Sequence, residues 1–158
     1  MSLSNYITEQ LHTTSIGELL RVKPTSKHEL QVIIAQELDR QGPDADLNFI
    51  DTSEITDMSR LFSLLLETDK KPRYVQIDEW DTSNVTNMME MFYGCDKFNC
   101  DLSNWDTSNV TDMSKMFYCC RCFTFNLSKW NVSKVKRHEN MFELCWIKSK
   151  PQMQPKFK

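Results

Sequence analysis

The chain lacks any apolar run long enough to cross a membrane. A membrane-spanning helix needs about 20 consecutive apolar residues, and the stretch from Leu64 to Leu66 falls far short of that. The N-terminus, MSLSNYITEQ, also lacks the charged and then apolar pattern of a secretion signal. We therefore expect no transmembrane segment. From the sequence as given we expect a cytoplasmic protein, or one at the cell surface or secreted if a leader has been removed.

Histidine is scarce, and its placement argues against catalysis. The chain has His12, His28 and His138, and no motif sets one of them beside an activated serine or cysteine. We expect a protein that is not an enzyme, with no catalytic residue and no cofactor.

Cysteine is present six times but without the pairing of a metal motif. Cys119 and Cys122 form a C-x-x-C pair, and no second spaced pair exists to complete four zinc ligands. We therefore expect no metal. Three other cysteines recur at an interval of 25 residues, which favours buried thiols over a disulfide framework. A metal or redox protein using Cys119, Cys120 and Cys122 remains the alternative from another class.

What the chain does have is a repeat. Trp80, Trp105 and Trp130 lie 25 residues apart, and the segments NVTNMMEMFYGC, NVTDMSKMFYCC and KVKRHENMFELC keep step with them. A degenerate earlier copy, LNFIDTSEITDMSRLF, places Asp51 30 residues before Asp81. A fixed period of this length indicates small units that stack and bury apolar faces against each other.

Each unit has two parts with different periodicity. The first alternates apolar and polar residues, as in Phe98 to Ser103, which predicts a short strand. The second repeats apolar residues at intervals of three and four, as in Val85, Met88 and Met91, which predicts a short helix. The corner W-D-T-S between them suits turn bonds to backbone amides. The predicted fold is an α/β, right-handed, leucine-rich-repeat-like solenoid of strand-helix units.

The ends of the chain do not share the repeat. Ser26 and Glu29 form a capping box before apolar residues at helical spacing, which predicts a helix from about Ser26 to Arg40. A weaker helical stretch covers Ile16 to Val22. We predict an N-terminal helical cap over residues 1–45, four repeats over 46–146, of which the last is a capping repeat, and a basic C-terminal tail over 147–158.

Comparison of the copies separates constant from variable positions. The constant positions predict a structural ladder of stacked side chains: Trp80, Trp105, Trp130, Met91, Met116, Met141, Phe92, Phe117, Phe142, Cys95, Cys120 and Cys145. The outward polar positions of the predicted strands vary, and we name them the variable surface: Tyr74, Gln76, Asp78, Asn99, Asp101, Ser103, Thr124, Asn126 and Ser128. A solenoid usually binds partners through such a sheet face, so we predict that this surface binds a partner; a merely solvated face is the alternative.

The repeat phrase is similar to that of a known family. LSNWDTSNVTDMSKMFYCC, Leu102 to Cys120, resembles the recurring phrase of the BspA-type leucine-rich repeat surface proteins, and the resemblance covers about residues 47–146. It implies a leucine-rich-repeat-like solenoid and a binding role, with no catalytic residues. It also implies the alternative of a bacterial surface or secreted adhesin that binds a host matrix protein.

The charges are unevenly distributed along the chain. Residues 119–158 carry nine Lys and Arg against two Glu, a net charge of +7, while the whole chain carries −3. The basic end could contact nucleic acid, but scattered lysines after a terminal repeat are more typical of a solvated end. We expect a monomeric protein-protein interaction module with a protein partner of unknown identity and no nucleic acid.

Overall fold

One α-helix, two short 3-10 helices and a long series of turns make up the described chain. The computed structural model describes residues 21–63 and 71–157. These ranges contain the α-helix α1 (Lys27–Gln41) and two 3-10 helices, Trp146–Ser149 and Pro151–Met153. Parallel pairing there is limited to five isolated bridges between single residues. Most of the helix predicted at Ile16 to Val22 lies outside the described residues, and Val22 itself bridges Ile50.

Helix α1 begins and ends at the residues that its sequence indicates. The Ser26 side chain accepts a hydrogen bond from the Glu29 N–H at 3.2 Å. The Glu29 carboxylate bonds back to the Thr25 N–H at 2.9 Å, one residue earlier than a regular capping box. Gly42 ends the helix at φ 86, and its N–H donates to the Leu38 carbonyl. The predicted helix is thus present, and its apolar stripe joins the core: Leu30, Ile33, Ile34 and Leu38.

The predicted α/β solenoid of strand-helix units is wrong, because the described units contain neither element. In the part predicted as strand, burial does alternate, with Cys100 and Leu102 buried. However, the Asp101 carboxylate accepts a hydrogen bond from the Ser103 N–H at 2.9 Å, and the Trp105 N–H donates to the Leu102 carbonyl. These local bonds use amides that a sheet ladder would need, so pairing stops after single bridges.

The part predicted as helix forms tight turns instead. Met88, Met91 and Phe92 are all buried, as helical spacing predicts. The Phe92 N–H nevertheless donates to the carbonyl of Met116, 24 residues later, at 3.0 Å. Glu90 has φ 55, in the left-handed region that a right-handed helix excludes. The apolar spacing therefore marks a buried face but no helix.

Stacking of equivalent residues is nevertheless the basis of the core. We number the units 1 to 4 by their corner residues Asp51, Asp81, Asp106 and Asn131. The rings of Trp80 and Trp105 stack at 6.4 Å between centroids with planes 6° apart. Four phenylalanines stack in the same way from unit to unit: Phe62, Phe92, Phe117 and Phe142. The units therefore share one continuous core rather than four separate ones.

Candidate functional site

Neighbouring units are joined by rows of backbone hydrogen bonds, and the main rows run in one direction, from each unit to the next. Another row runs in the opposite direction, from Thr86 to Thr56, from Thr111 to Thr86 and from Lys136 to Thr111. In unit 2 the N–H groups of alternate residues donate to carbonyls of unit 3, as Met88 does to Asp112 at 2.9 Å. The same pattern links units 1 and 2 and units 3 and 4. The donors in unit 2 are Met88, Glu90, Phe92 and Gly94, and those in unit 3 are Met113, Lys115, Phe117 and Cys119.

Each of the main rows is a column of peptide groups aligned head to tail, which we call a peptide column. The carbonyl of Asn87 accepts from the Met58 N–H in unit 1, and the N–H of Met88, in the same peptide group, donates to Asp112 in unit 3. Peptide dipoles in this arrangement add, as they do along an α-helix. The columns therefore have a positive end at unit 4 and a negative end at unit 1.

Two kinds of buried side chain add bonds between neighbouring units. The Thr82 hydroxyl donates to the Asp106 carbonyl at 3.0 Å, and Thr52 and Thr107 repeat this bond to their next unit. The indole N–H of Trp105 donates in the opposite direction, to the Ile77 carbonyl of the preceding unit, at 3.0 Å. Val132 occupies the threonine position of unit 4, beyond which no further unit follows in the described chain.

A column of polar residues runs along the stack beside these bonds. Asp57, Asn87, Asp112 and Arg137 bridge one another in order, and the Arg137 guanidinium lies 2.7 Å from the Asp112 carboxylate. At the other end, the ammonium of Lys27 in α1 lies 3.3 Å from the Asp57 carboxylate. Burial alone would raise the pKa of Asp112, but bonds from Ser114 and Arg137 hold that pKa below its ordinary value. The neutral Asn87 separates the two carboxylates.

The twelve residues of the predicted structural ladder all lie in the core. The thiols of Cys95, Cys120 and Cys145 are free. Burial raises the pKa of Cys95 to about 12 and that of Cys145 to about 11, so both thiols stay protonated and poorly nucleophilic near neutral pH. The ladder is a packing feature with no reactive group.

The nine residues of the variable surface are all exposed or partly exposed, although no sheet supports them in the described chain. Tyr74 is 60% exposed, and its N–H donates to the Asp44 carboxylate, which also binds Arg73 through two bonds. Other members of the surface are held by turn bonds. Asp101 and Asn126 accept the N–H groups two residues after them, and Asn99 accepts the Thr124 N–H of the next unit.

The cysteine alternative gains no geometric support. Among residues 21–63 and 71–157, no group of three or more His, Cys, Asp or Glu is arranged to hold a metal ion. The Cys120 thiol lies in the core at 3.0 Å from the Phe92 carbonyl, whereas Cys122 is exposed and Cys119 partly exposed. The structure therefore does not bring the three together as ligands.

Residues 146–157 fold onto unit 4. Ile147 is fully buried, and the Leu127 N–H donates to the Met153 carbonyl at 2.8 Å. The Phe157 ring stacks on His138 at 4.0 Å. Lys156 borders a cavity of about 240 Å³ that the corner of unit 4 also lines, including Trp130 and Val132.

Sequence reasoning missed the features that join the units. The inter-unit threonine bonds had a visible signal, since Thr recurs at positions 52, 82 and 107 and is replaced by Val132 in the last copy. The left-handed residues had almost none. In the described ranges they recur at one position in units 1 to 4 and at a second in units 2 to 4, and Gly94 is the one glycine among them there.

These contacts define the class of the protein: a repeat protein whose units stack through inter-unit hydrogen bonds around one core. Residues 35–153 match the model of a family described as "Mycoplasma protein of unknown function, DUF285", and the chain belongs to that family. No curated protein and no solved structure is similar enough to the chain to count as a match. The described residues include no helix with the length and apolar character that crossing a membrane requires.

Proposed function

We propose that the protein is a non-catalytic protein-protein interaction module that binds its partner through the variable surface. The observation that carries this proposal is the division of positions between inside and outside. The aromatic and methionine side chains that recur between copies fill the core, whereas all nine variable positions remain accessible to a partner. A stack with constant packing and variable exposed residues is the usual design of repeat proteins that bind.

Two properties of the variable surface support binding. Its amide and carboxylate groups are held in place, Asp101 by a turn bond and Asn99 by a bond from the next unit, so a partner would find them already oriented. Tyr74 offers an exposed aromatic ring, the kind of side chain that most often anchors a protein interface. We expect Tyr74 and Gln76 to dominate the affinity, because the side chains of neighbouring positions already serve turns.

The resemblance of the repeat phrase to BspA-type surface proteins extends the proposal. We infer a common origin of the repeat phrase and a shared binding role, without the strand-helix units that the name implies. A surface or secreted adhesin that recognises a host matrix protein is one form that this role could take.

Capture from a lysate of the source organism tests the proposal. Immobilised wild-type protein should enrich a partner that the Tyr74→Ala/Gln76→Ala double variant loses. Lys97→Ala changes an exposed residue outside the variable surface and should enrich the same partner as the wild type. Equal recovery of every captured protein by all three forms, measured by quantitative mass spectrometry, would contradict a role for this surface.

A further inference from the structure

The peptide columns end at unit 4 in a row of free N–H groups. The acceptors in unit 4 are the carbonyls of Arg137, Glu139, Met141 and Glu143. The N–H groups of the same peptide groups belong to the next residues, and they donate to no acceptor in the described chain. These four, which we call the amide edge, are His138, Asn140, Phe142 and Leu144.

The amide edge differs from the edge of an ordinary sheet in presenting donors only. An ordinary strand edge alternates N–H and C=O groups, whereas here the carbonyls of Arg137, Glu139, Met141 and Glu143 point back into the stack, where unit 3 already uses them. The Lys136 carbonyl, just before this row, is the exception, since the equivalent carbonyl of Thr111 accepts from the next unit. The dipoles of the columns also put their positive end at this edge. A partner for the edge must therefore supply acceptors and negative charge.

The charged side chains around the edge strengthen this requirement. Lys134, Lys136 and Arg137 are exposed on unit 4, and Lys148 and Lys150 follow in the segment folded onto it. Only Glu139 and Glu143 oppose them within residues 134–150. Positive side chains at the positive end of aligned dipoles repel that end. Arg137 already pairs with the Asp112 carboxylate and Lys148 with that of Glu143, whereas Lys134, Lys136 and Lys150 have no carboxylate partner in the described ranges and would favour an anionic partner.

The opposite end of the stack is closed, which excludes simple head-to-tail growth. The carbonyls of Asp57, Ser59 and Leu61 end the columns there, beside α1. The Lys27 ammonium lies 2.6 Å from the Ser59 hydroxyl, and Ser59 and Leu61 are buried. A second copy would thus have to displace α1 to pair its unit 1 with the amide edge.

We propose that the amide edge of unit 4 docks an acidic polypeptide segment. A polypeptide fits the edge because the stack itself already pairs in this way. At the seam between units 2 and 3, and at the seam between units 3 and 4, the equivalent N–H groups donate to carbonyls of alternate residues. Leu144 and Trp146, 52% and 44% exposed, lie at the end of the row and would cover apolar side chains of the segment. This docking site is separate from the variable surface and does not depend on the function proposed for it.

Titration with a defined peptide tests the proposal on the full chain. The probe is acetylated and amidated octaglutamate, and octaglutamine of the same length is its uncharged control. Nuclear magnetic resonance of the backbone amides should show saturable shifts at His138, Asn140, Phe142 and Leu144 with octaglutamate. The equivalent amides of unit 3, such as Met113 and Lys115, should move much less because they are already bonded.

Matched charge reversals show which lysines contribute electrostatically to octaglutamate binding. Lys136→Glu should weaken octaglutamate binding by about threefold or more at low salt, whereas Lys97→Glu, the same change at an exposed residue of another unit, should alter it by less than about twofold. Tyr74→Ala should leave binding unchanged, which separates this site from the variable surface.

Four outcomes would overturn the proposal. Octaglutamine could bind as well as octaglutamate, or the four amides could fail to shift. An octathymidylate could shift the same amides at lower concentration, which would indicate a nucleic-acid site. Finally, those amides could shift with protein concentration alone, together with a doubled mass in sedimentation, which would indicate that a second copy occupies the edge.

Discussion

At the scale of single residues, the side chains that reach from one unit to the next matter more than their small size suggests. Thr82 is 2% exposed, and its hydroxyl is the partner of a carbonyl on the neighbouring corner. This bond is partly buried, so the carbonyl regains only part of its hydration when it loses the donor. The threonine methyl group and the hydroxyl therefore have different roles. The methyl group fills space in the core, and the hydroxyl donates a hydrogen bond to a carbonyl of the next unit.

Thr82→Val should lower the free energy of unfolding by about 1 to 2 kcal/mol, because valine keeps the shape and leaves the Asp106 carbonyl without its donor. Urea denaturation measures the change. Thr86→Val is the control, since the Thr86 hydroxyl bonds to the Thr56 carbonyl from an exposed position where water can replace it, and the Thr86 N–H still donates to the same carbonyl. An equal loss in both variants would show that burial is not the cause.

At the scale of the element, the recurring unit is shaped by left-handed residues. Arg60, Glu90, Lys115 and Asn140 occupy one equivalent position, with φ between 53 and 56. The other position holds Gly94, Cys119 and Leu144. These two points let alternate N–H groups face the next unit. This conformation is sterically unfavourable for residues with a Cβ, and the inter-unit hydrogen bonds offset that cost.

Gly94→Ala and Cys119→Gly should have opposite effects on stability, because the first adds a Cβ and the second removes one at equivalent positions. Gly94 has φ 72, so alanine should cost about 1 kcal/mol. Cys119 has φ 62, so glycine should raise the free energy of unfolding, by less than about 1 kcal/mol since its own chain entropy opposes the gain. Denaturant midpoints of the two variants, compared with wild type, give both signs. A loss in both would mean that side-chain packing, not φ, decides at this position.

At the scale of the whole molecule, stacking could be predicted from the sequence and the local backbone could not. The interval between Trp80 and Trp105 carries the stacking information directly, because equivalent residues must meet if units repeat. The spacing of Met88, Met91 and Phe92 indicates only which side is buried. A turn that sends its amides to another unit buries the same residues as a helix that bonds to itself, so periodicity cannot separate the two.

The candidate surfaces divide in the same way. Tyr74 and its eight companions are identifiable because they vary between copies, which is a property of the sequence alone. The amide edge is not, since it consists of backbone groups such as the N–H of Leu144, whose direction depends on the fold. Side-chain chemistry can be predicted from residue types, whereas backbone chemistry requires knowing where each amide points.

The charges of the whole stack predict how stability depends on pH. Desolvation would raise the pKa of Asp57 and Asp112, but hydrogen bonds and cations outweigh it, and both pKa values lie below the ordinary 3.8. Bonds from Ser53 and Ser108 likewise lower the pKa of Asp51 and Asp106. A carboxyl whose pKa is lowered by folding stabilises the protein above its unfolded pKa, and that contribution is lost as pH falls through the folded value.

The free energy of unfolding should therefore fall as the pH drops below about 4. The Asp112→Asn variant should lose less of its free energy of unfolding as the pH falls. Its amide oxygen can still accept from Ser114, but the charge that Arg137 stabilises is gone. Asn87 shows that an amide serves this turn, since it accepts the Met89 N–H. Urea titrations at several pH values measure the slope. Asp96→Asn removes one negative charge at a carboxylate that accepts no bond in the described ranges, and it is the control for the change in net charge.

The one-way direction of the peptide columns has a consequence for how such a chain can change length. Because the main rows join the same kind of donor face to the same kind of acceptor face at every seam, units that also carry the corner threonine are interchangeable as neighbours. Duplication of one 25-residue stretch would create a new seam identical to the old ones, and deletion would rejoin two compatible faces. The 30-residue interval between units 1 and 2 fits this rule, since its five additional residues leave the Asp57 and Asn87 bridge in register. The number of units can therefore change during evolution, whereas the hydrogen bonds that join one unit to the next must be kept.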